Sequence, residues 1–143
     1  MMYFTSDFHF SHSNILNFER GQFNTISEHD QYIVRLIQNW SQKWVEGSTL
    51  WFLGDFGNPD YLWVFNILRN KGCTVNFLFG NHDRWEDLKD IIDQYVDNVY
   101  RYPVYLSKKF VVSHEPVAVY EDTVNVHGHL HASKLRDINH IND

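Results

Sequence analysis

The feature that most restricts how this chain can fold is a repeated pairing. A short apolar run is followed at once by an acid, a histidine or an asparagine, and this happens five times. Residues 1–6 precede Asp7 and His9, and Thr49–Leu53 precedes Asp55 in Leu53-Gly54-Asp55. Val75–Phe79 precedes Asn81 and His82 in Gly80-Asn81-His82-Asp83. Phe110–Ser113 precedes His114, and Thr123–His127 precedes His129 and His131. Short runs rich in β-branched and aromatic residues read as strands. In open α/β sheets, ligands bind beyond the carboxyl ends of the strands. Polar sets in that position, all of metal-ligating type, predict one site assembled from strand ends.

The segments between the first runs read as helices. Residues 13–18 predict a short one. Thr25-Ile26-Ser27-Glu28 fits a capping box, and Ile33, Leu36, Ile37, Trp40 and Trp44 follow helical spacing until Gly47 ends the segment. Asn58-Pro59 fits an N-cap with Pro at the first helical position, opening a helix to about Leu68. Asp83 is expected either to cap a helix through about Tyr95 or to pair with neighbouring backbone. Val99–Val104, Phe110–Ser113, Thr123–His127 and Leu135–Asn139 make the second half β-rich. The order βαβαβα followed by strands predicts layered α/β, parallel first and antiparallel or mixed later. With 143 residues, a single domain over residues 1–143 is expected.

Composition limits the partners. The formal charge of −6 argues against a basic face for duplex nucleic acid. It does not exclude a phosphorylated substrate, because bound divalent cations would reverse the local sign. Cys73 is the one cysteine and cannot form an intramolecular disulfide, which points to a reducing cytosol. The N-terminus reads as a strand start rather than a leader, and no run approaches the length of a membrane span. The expected protein is cytoplasmic, without a membrane partner. Aromatics at 17% read mainly as core.

Asp7 and His9 are two apart, as are His129 and His131, so in extended backbone each pair shares a face. Mixed carboxylate, imidazole and amide donors suit borderline divalent metals such as Mn, Fe, Co, Ni or Zn and suit Ca poorly.

Taken in order, Asp7-x-His9, Gly54-Asp55, Gly80-Asn81-His82-Asp83, His114 and Gly128-His129-x-His131 resemble the signature blocks of the calcineurin-like metallophosphoesterase superfamily. Thr5-Ser6-Asp7-Phe8-His9-Phe10-Ser11-His12, Asn14-Ile15 and Arg20-x-x-Phe23 resemble a compact bacterial and phage branch of predicted phosphoesterases. The resemblance implies a four-layer sandwich, two packed mixed β-sheets flanked by helices. It implies two divalent metals, Mn foremost, ~3.5–4 Å apart and sharing a hydroxide. Asp7, His9, Asp55 and His131 would hold one metal. Asp55, Asn81, His114 and His129 would hold the other, with Asp55 bridging. His82 would stabilise developing charge and protonate the leaving group. One departure is Asn58, where the protein-phosphatase branch has an Asp that orients the acid histidine. Asn58 also has a competing role as a helix cap.

Other residues have two readings. His12 is a substrate contact or a hydrogen-bond partner of a ligand. Arg20 and Arg84 are phosphate clamps, or else solvated charges or structural pairs. Phe10, Phe18, Phe23 and Tyr61 either stack on a base or pack their loops onto the core. His127 is expected beneath the site, His29 and His140 at the surface, and Glu115 in solvent. The expected function is hydrolysis of a phosphodiester or phosphomonoester in a small molecule, a nucleotide by preference. The alternatives are a protein phosphatase and a non-catalytic scaffold on the same fold. The oligomeric state is left open.

Overall fold

The computed structural model describes residues 1–18 and 20–129. His131, His140 and the predicted strand Leu135–Asn139 lie outside the described residues. The chain runs through β1 (Met2–Thr5), α1 (Ile15–Phe18), α2 (Ile26–Lys43), β2 (Thr49–Phe52), a 3-10 turn (Pro59–Tyr61) and α3 (Val64–Arg69). It continues through β3 (Thr74–Leu78), α4 (Trp85–Ile92), β4 (Asn98–Tyr100), β5 (Val104–Ser107), β6 (Phe110–Ser113) and β7 (Val124–His127).

Strands β1-β2-β3-β4 form one sheet in sequence order, every neighbouring pair parallel. Parallel neighbours need crossovers, and crossovers of one hand that all step the same way put their helices on one face. The alternation along the strands matches. Leu50, Phe52, Val75 and Phe77 pack with Ile33 and Ile37 of α2, Phe65 and Leu68 of α3, and Ile92 of α4. Trp51, Leu53 and Leu78 point the other way, onto Val112 and the half-buried Val104, Leu106, Phe110 and Val126. Those residues belong to the second sheet, where β5 pairs antiparallel with β6 and β6 pairs parallel with β7. The described residues therefore supply a helix layer, a parallel sheet and a mixed sheet, stacked in that order. The fourth layer of the expected sandwich is not among them. Phe52 is fully buried at the centre of the first cluster, and its truncation to Ala would cost about 3–5 kcal/mol.

Local chemistry sets the element ends. Thr25 Oγ1 accepts from Glu28 N at 3.1 Å, as a capping box requires. The Glu28 carboxylate reaches one residue further back than expected, to Asn24 N at 3.0 Å. Two predicted elements divide. The helix expected from Pro59 is a 3-10 turn followed, after Leu62-Trp63, by α3. The strand expected over Val99–Val104 is two strands in different sheets. Pro103, which has no N–H to give a ladder, sits in the turn between them. Asp83 is not the cap of α4: the capping position is Arg84, with no side-chain cap bond.

Candidate metal centre

Each ligand candidate among the described residues follows a strand of one of the two sheets. Asp7 and His9 follow β1, Asp55 follows β2, Asn81 follows β3, His114 follows β6 and His129 follows β7. Asp7, His9, Asp55 and His114 are buried. The loops turn sharply to bring them together. Asp7, His9, Asp55 and His129 all adopt positive φ, at 59°, 49°, 60° and 69°. Left-handed backbone costs a non-glycine residue roughly 1–3 kcal/mol unless the surroundings enforce it. Here they do: Asp7 N donates to Gly54 O at 2.8 Å and His9 N to Asp55 O at 3.1 Å. His129 N donates to Asp7 Oδ2 at 3.0 Å, closing the second sheet onto the first.

Asp55 is the common corner. Its Oδ2 lies 3.7 Å from His9 Nε2, 3.1 Å from His114 Nε2 and 4.0 Å from His82 Nε2. Two donor groups meet there, Asp7–His9–Asp55 and Asp55–His114–His129, with the donor atoms of each group within 4.8 Å of one another. Either group can hold a metal ion. Asp83 supports the corner from behind by accepting from Asp55 N at 2.7 Å, Phe56 N at 3.0 Å and Gly80 N at 2.9 Å.

The protonation pattern tests whether a cation fits. His114 Nδ1 lies 2.7 Å from Leu53 O, an acceptor, so that nitrogen carries a proton. In the neutral ring, the Nε2 lone pair then faces two oxygen acceptors, Asp55 Oδ2 at 3.1 Å and Asn81 Oδ1 at 2.9 Å, with His129 Nδ1 at 3.2 Å beside them. Such a meeting of acceptors requires a proton or a cation. The Asn81 amide repeats the pattern. Its oxygen faces acceptors, whereas turning it over would let nitrogen donate to Asp55 Oδ2 at 3.0 Å and His114 Nε2 at 2.9 Å. Oxygen inward is the orientation a cation needs. Without one, burial disfavours the charged form of His114, yet the adjacent Asp55 carboxylate lifts its pKa above the ordinary imidazole value. Burial pushes Asp55 upward too, but its hydrogen bonds from His114 and from the His82 N–H hold it below the usual carboxylate range.

A family model for calcineurin-like phosphoesterases matches residues 2–143. The chain belongs to that family. An uncharacterized protein of Methanocaldococcus jannaschii is 28% identical over 148 residues, covering 99% of this chain and 75% of that protein. A protein of unknown function from Aquifex aeolicus, known as a crystal structure, is similar with a TM-score of 0.61 and 28% identity. That match covers 81% of this chain and 61% of the Aquifex chain.

The softer candidates of this calcineurin-like chain separate. His12 sits at the site, its Nδ1 3.1 Å from His9 Nδ1. Burial, with His9 and His82 nearby, lowers its pKa. His9, His12, Ser13, Asn14, Ile15 and His82 line an open cleft of about 490 Å³. Arg84 is not in its lining: it pairs with Asp87 at 2.9 Å on the surface. Arg20 faces protein, donating to Asp7 O and to Phe8 O at 3.0 Å. Phe10 is fully buried and stacks on Tyr61 at 4.3 Å, so packing is the role both rings show. Phe23 packs edge-on against His29. Asn58 caps the 3-10 turn by accepting from Asp60 N at 2.9 Å. His127 bonds the carbonyl of its neighbour Gly128.

His29 corrects the expectation of a surface residue: it is fully buried, beside the buried Asp30. The sequence reading missed Asp30. The available signal was spacing, since His29 and Asp30 lie four and three residues before Ile33 and so fall on the core stripe of α2.

Proposed function

We propose that this chain hydrolyses phosphate esters with two divalent metal ions, Mn by preference, held at the ends of its strands. Asp7, His9 and Asp55, with His131, would hold one. Asp55, Asn81, His114 and His129 would hold the other. The observation that carries this reading is the position of Asp55 Oδ2 at the corner shared by the two donor groups. When bound, the metals would supply Lewis acidity and a water acidic enough to ionise near neutral pH.

The protein's own groups do the rest. Leu53 O fixes the His114 tautomer, and His12 orients His9 through the Nδ1 contact. His82 is the general acid: its side chain is 58% exposed on the cleft, where it can meet a leaving oxygen. Its main-chain N–H meanwhile holds Asp55 Oδ1 at 2.8 Å. A cleft of about 490 Å³ falls in the range of small-molecule sites. That size supports a small phosphorylated substrate, a nucleotide first, in preference to a phosphoprotein. Asn58 also argues against protein-phosphatase chemistry, because an amide, engaged as a cap, stands where that branch uses a carboxylate. A cytoplasmic setting fits the lone buried thiol of Cys73. Among the described residues, no helix is long and apolar enough to cross a membrane.

The test is kcat/KM for bis-p-nitrophenyl phosphate, a cyclic nucleotide and a phosphopeptide, with Mn and after chelation. Hydrolysis that needs metal and favours the small esters is expected. Activity indifferent to chelation would overturn the metal reading, and a clear preference for the phosphopeptide would overturn the substrate class.

A further inference from the structure

A polar chain, buried at His29 and Asp30, runs from α2 to the ligand-bearing loop Asp7–Ser11. Arg20 Nη1 donates to His29 Nε2 at 2.6 Å and to Phe8 O at 3.0 Å, while Nη2 donates to Asp7 O. With Nε2 accepting, His29 carries its proton on Nδ1 and donates to Asp30 Oδ1 at 2.9 Å. Asp30 in turn accepts from Ser11 N, 3.1 Å from each carboxylate oxygen, and from Ser11 Oγ at 3.3 Å. Asn58 Nδ2 donates to Ser11 Oγ at 3.2 Å, tying in the loop after β2. Each of these bonds pairs a donor with an acceptor. Its positive and negative ends are separated by a neutral imidazole that is fully buried.

The chain grips an unusual stretch of backbone. Asp7, His9 and Ser11 alternate at positive φ, at 59°, 49° and 63°. Main-chain bonds to Gly54, Asp55 and Phe56 hold the N–H groups of Asp7, His9 and Phe10. Arg20 takes the carbonyls of Asp7 and Phe8, and Asp30 takes the N–H of Ser11. Both edges of the loop are thereby fixed, and Asp7 and His9 can aim at Asp55 only while they stay so.

We infer that Arg20, His29 and Asp30 are positioning residues that set the left-handed Asp7–Ser11 loop and so govern occupancy of the metal position built from Asp7 and His9, with the other position left intact. This rests on the two-metal reading above. It gives Arg20 a role other than clamping phosphate. It also extends the functional site to α2, which carries none of the proposed ligands. Partners of metal ligands commonly change metal affinity 10–100-fold when removed, and a side-chain network can be worth more than the sum of its pairwise bonds.

The experiment measures Mn stoichiometry and affinity by titration calorimetry, with electron paramagnetic resonance to separate a coupled Mn pair from a single ion. The proteins are the wild type, Asp30→Asn, Arg20→Met, Arg20→Lys and the core control Ile37→Val. Wild type should bind two ions. Asp30→Asn and Arg20→Met should bind one tightly and the second about 10–100-fold more weakly, with the coupled signal replaced by that of an isolated ion. Arg20→Lys, which can still donate to the two carbonyls, should recover part of the second site. Ile37→Val should lower the melting temperature yet keep both ions. Folded Asp30→Asn or Arg20→Met protein with two ions bound at wild-type affinity would overturn the inference and leave the two-metal reading standing. Wild type with no coupled pair would overturn that reading, and the inference with it. Circular dichroism establishes folding, and Asp30→Asn, which keeps the side-chain shape, serves if Arg20→Met does not fold.

Discussion

The carbonyl oxygen of Leu53 lies 2.7 Å from Nδ1 of His114, and this contact determines which imidazole nitrogen faces Asp55. The last residue before the Gly54-Asp55 turn therefore sets the tautomer of a histidine from the other sheet. The consequence is a competition between proton and metal at Nε2. Burial opposes the charged ring, but Asp55 raises the His114 pKa above the ordinary value. A raised histidine pKa stabilises the metal-free fold below about pH 6.5, and that contribution fades as pH rises through the folded-state value. Metal must expel this proton. Mn uptake should therefore release a proton at mildly acidic pH, and the affinity should climb until His114 is deprotonated, then level off. Calorimetry in buffers of differing ionisation enthalpy measures the release. A release independent of pH across that range would contradict the assignment.

Asp83 is expected to matter for stability more than its place beside a histidine motif suggests. It accepts from three main-chain N–H groups, those of Asp55, Phe56 and Gly80. Asp83→Asn turns an amide NH₂ toward at least one of those donors. The expected loss is about 1–3 kcal/mol, read as a lower melting temperature of the metal-free protein. An unchanged melting temperature would mean that the loops after β2 and β3 hold their shape without it.

Much of this arrangement was legible because its signals are local. Strand-forming runs ending in Asp, His or Asn announced the site. The Thr25 cap and the Ile33–Ile37 stripe announced α2. The rest depends on tertiary partners. Asp and His take positive φ more often than other non-glycine residues, but that preference does not single out Asp7, His9, Asp55 and His129, since the bonds that enforce it come from other segments. Val99–Val104 has the composition of one strand, and only the need to serve two sheets divides it, at Pro103. Arg20 stayed open between a phosphate clamp and a solvated or structural charge because its acceptors are carbonyls, which carry no sequence signature. His29 resembled a surface residue, and Asp30 drew no reading, because a polar pair on a core stripe looks ordinary until its partners are known.

The close approach of Gly54 and Gly80 yields a steric prediction. Gly54 has φ +99°, and a Cβ there would lie 2.5 Å from Gly80 Cα and 2.8 Å from His114 Nδ1. Gly54→Ala should separate the loops after β2 and β3, weaken metal binding and destabilise by more than the roughly 0.4–1 kcal/mol that an unstrained Gly→Ala change adds to stability. Gly21→Ala is the control, since its nearest neighbour would be Leu16 O at 3.6 Å. Equal effects from both variants, measured by melting and Mn titration, would count against a contact-limited site.

His29 should give the metal-free protein a specific acid sensitivity. Burial lowers its pKa, Arg20 and His9 lower it further, and Asp30 opposes them; the Phe23 ring packs on its edge. A depressed histidine pKa means that the unfolded chain takes up the proton first. Stability is therefore full above about pH 6.5 and falls as pH drops from there toward the folded-state value. His12, also lowered, acts in the same direction. Replacing His29 with Gln, which does not titrate, should reduce the slope of melting temperature against pH below that point. An unaltered slope would assign the acid sensitivity to other groups.

The division of labour between His82 and Asp55 is the sharpest test of the chemistry. The His82 ring is more than half exposed, and its Nε2 stands 4.0 Å from Asp55 Oδ2. The bond that fixes Asp55 comes from the His82 main chain, 2.8 Å from Oδ1, and survives any side-chain change. His82→Ala should therefore keep both metals and lose roughly 10²–10⁴-fold in kcat. The loss should shrink for p-nitrophenyl esters, whose leaving group needs no proton, and grow for nucleotide esters with poorer leaving groups. Asp55→Asn removes the carboxylate common to both donor groups, so metal occupancy should fall before any question of rate arises. Metal analysis of the two purified variants, paired with rates on both ester types, checks the assignment. Metal lost from His82→Ala but retained by Asp55→Asn would reverse the roles. An equal rate loss on both ester types would remove His82 as the acid and leave it only charge stabilisation.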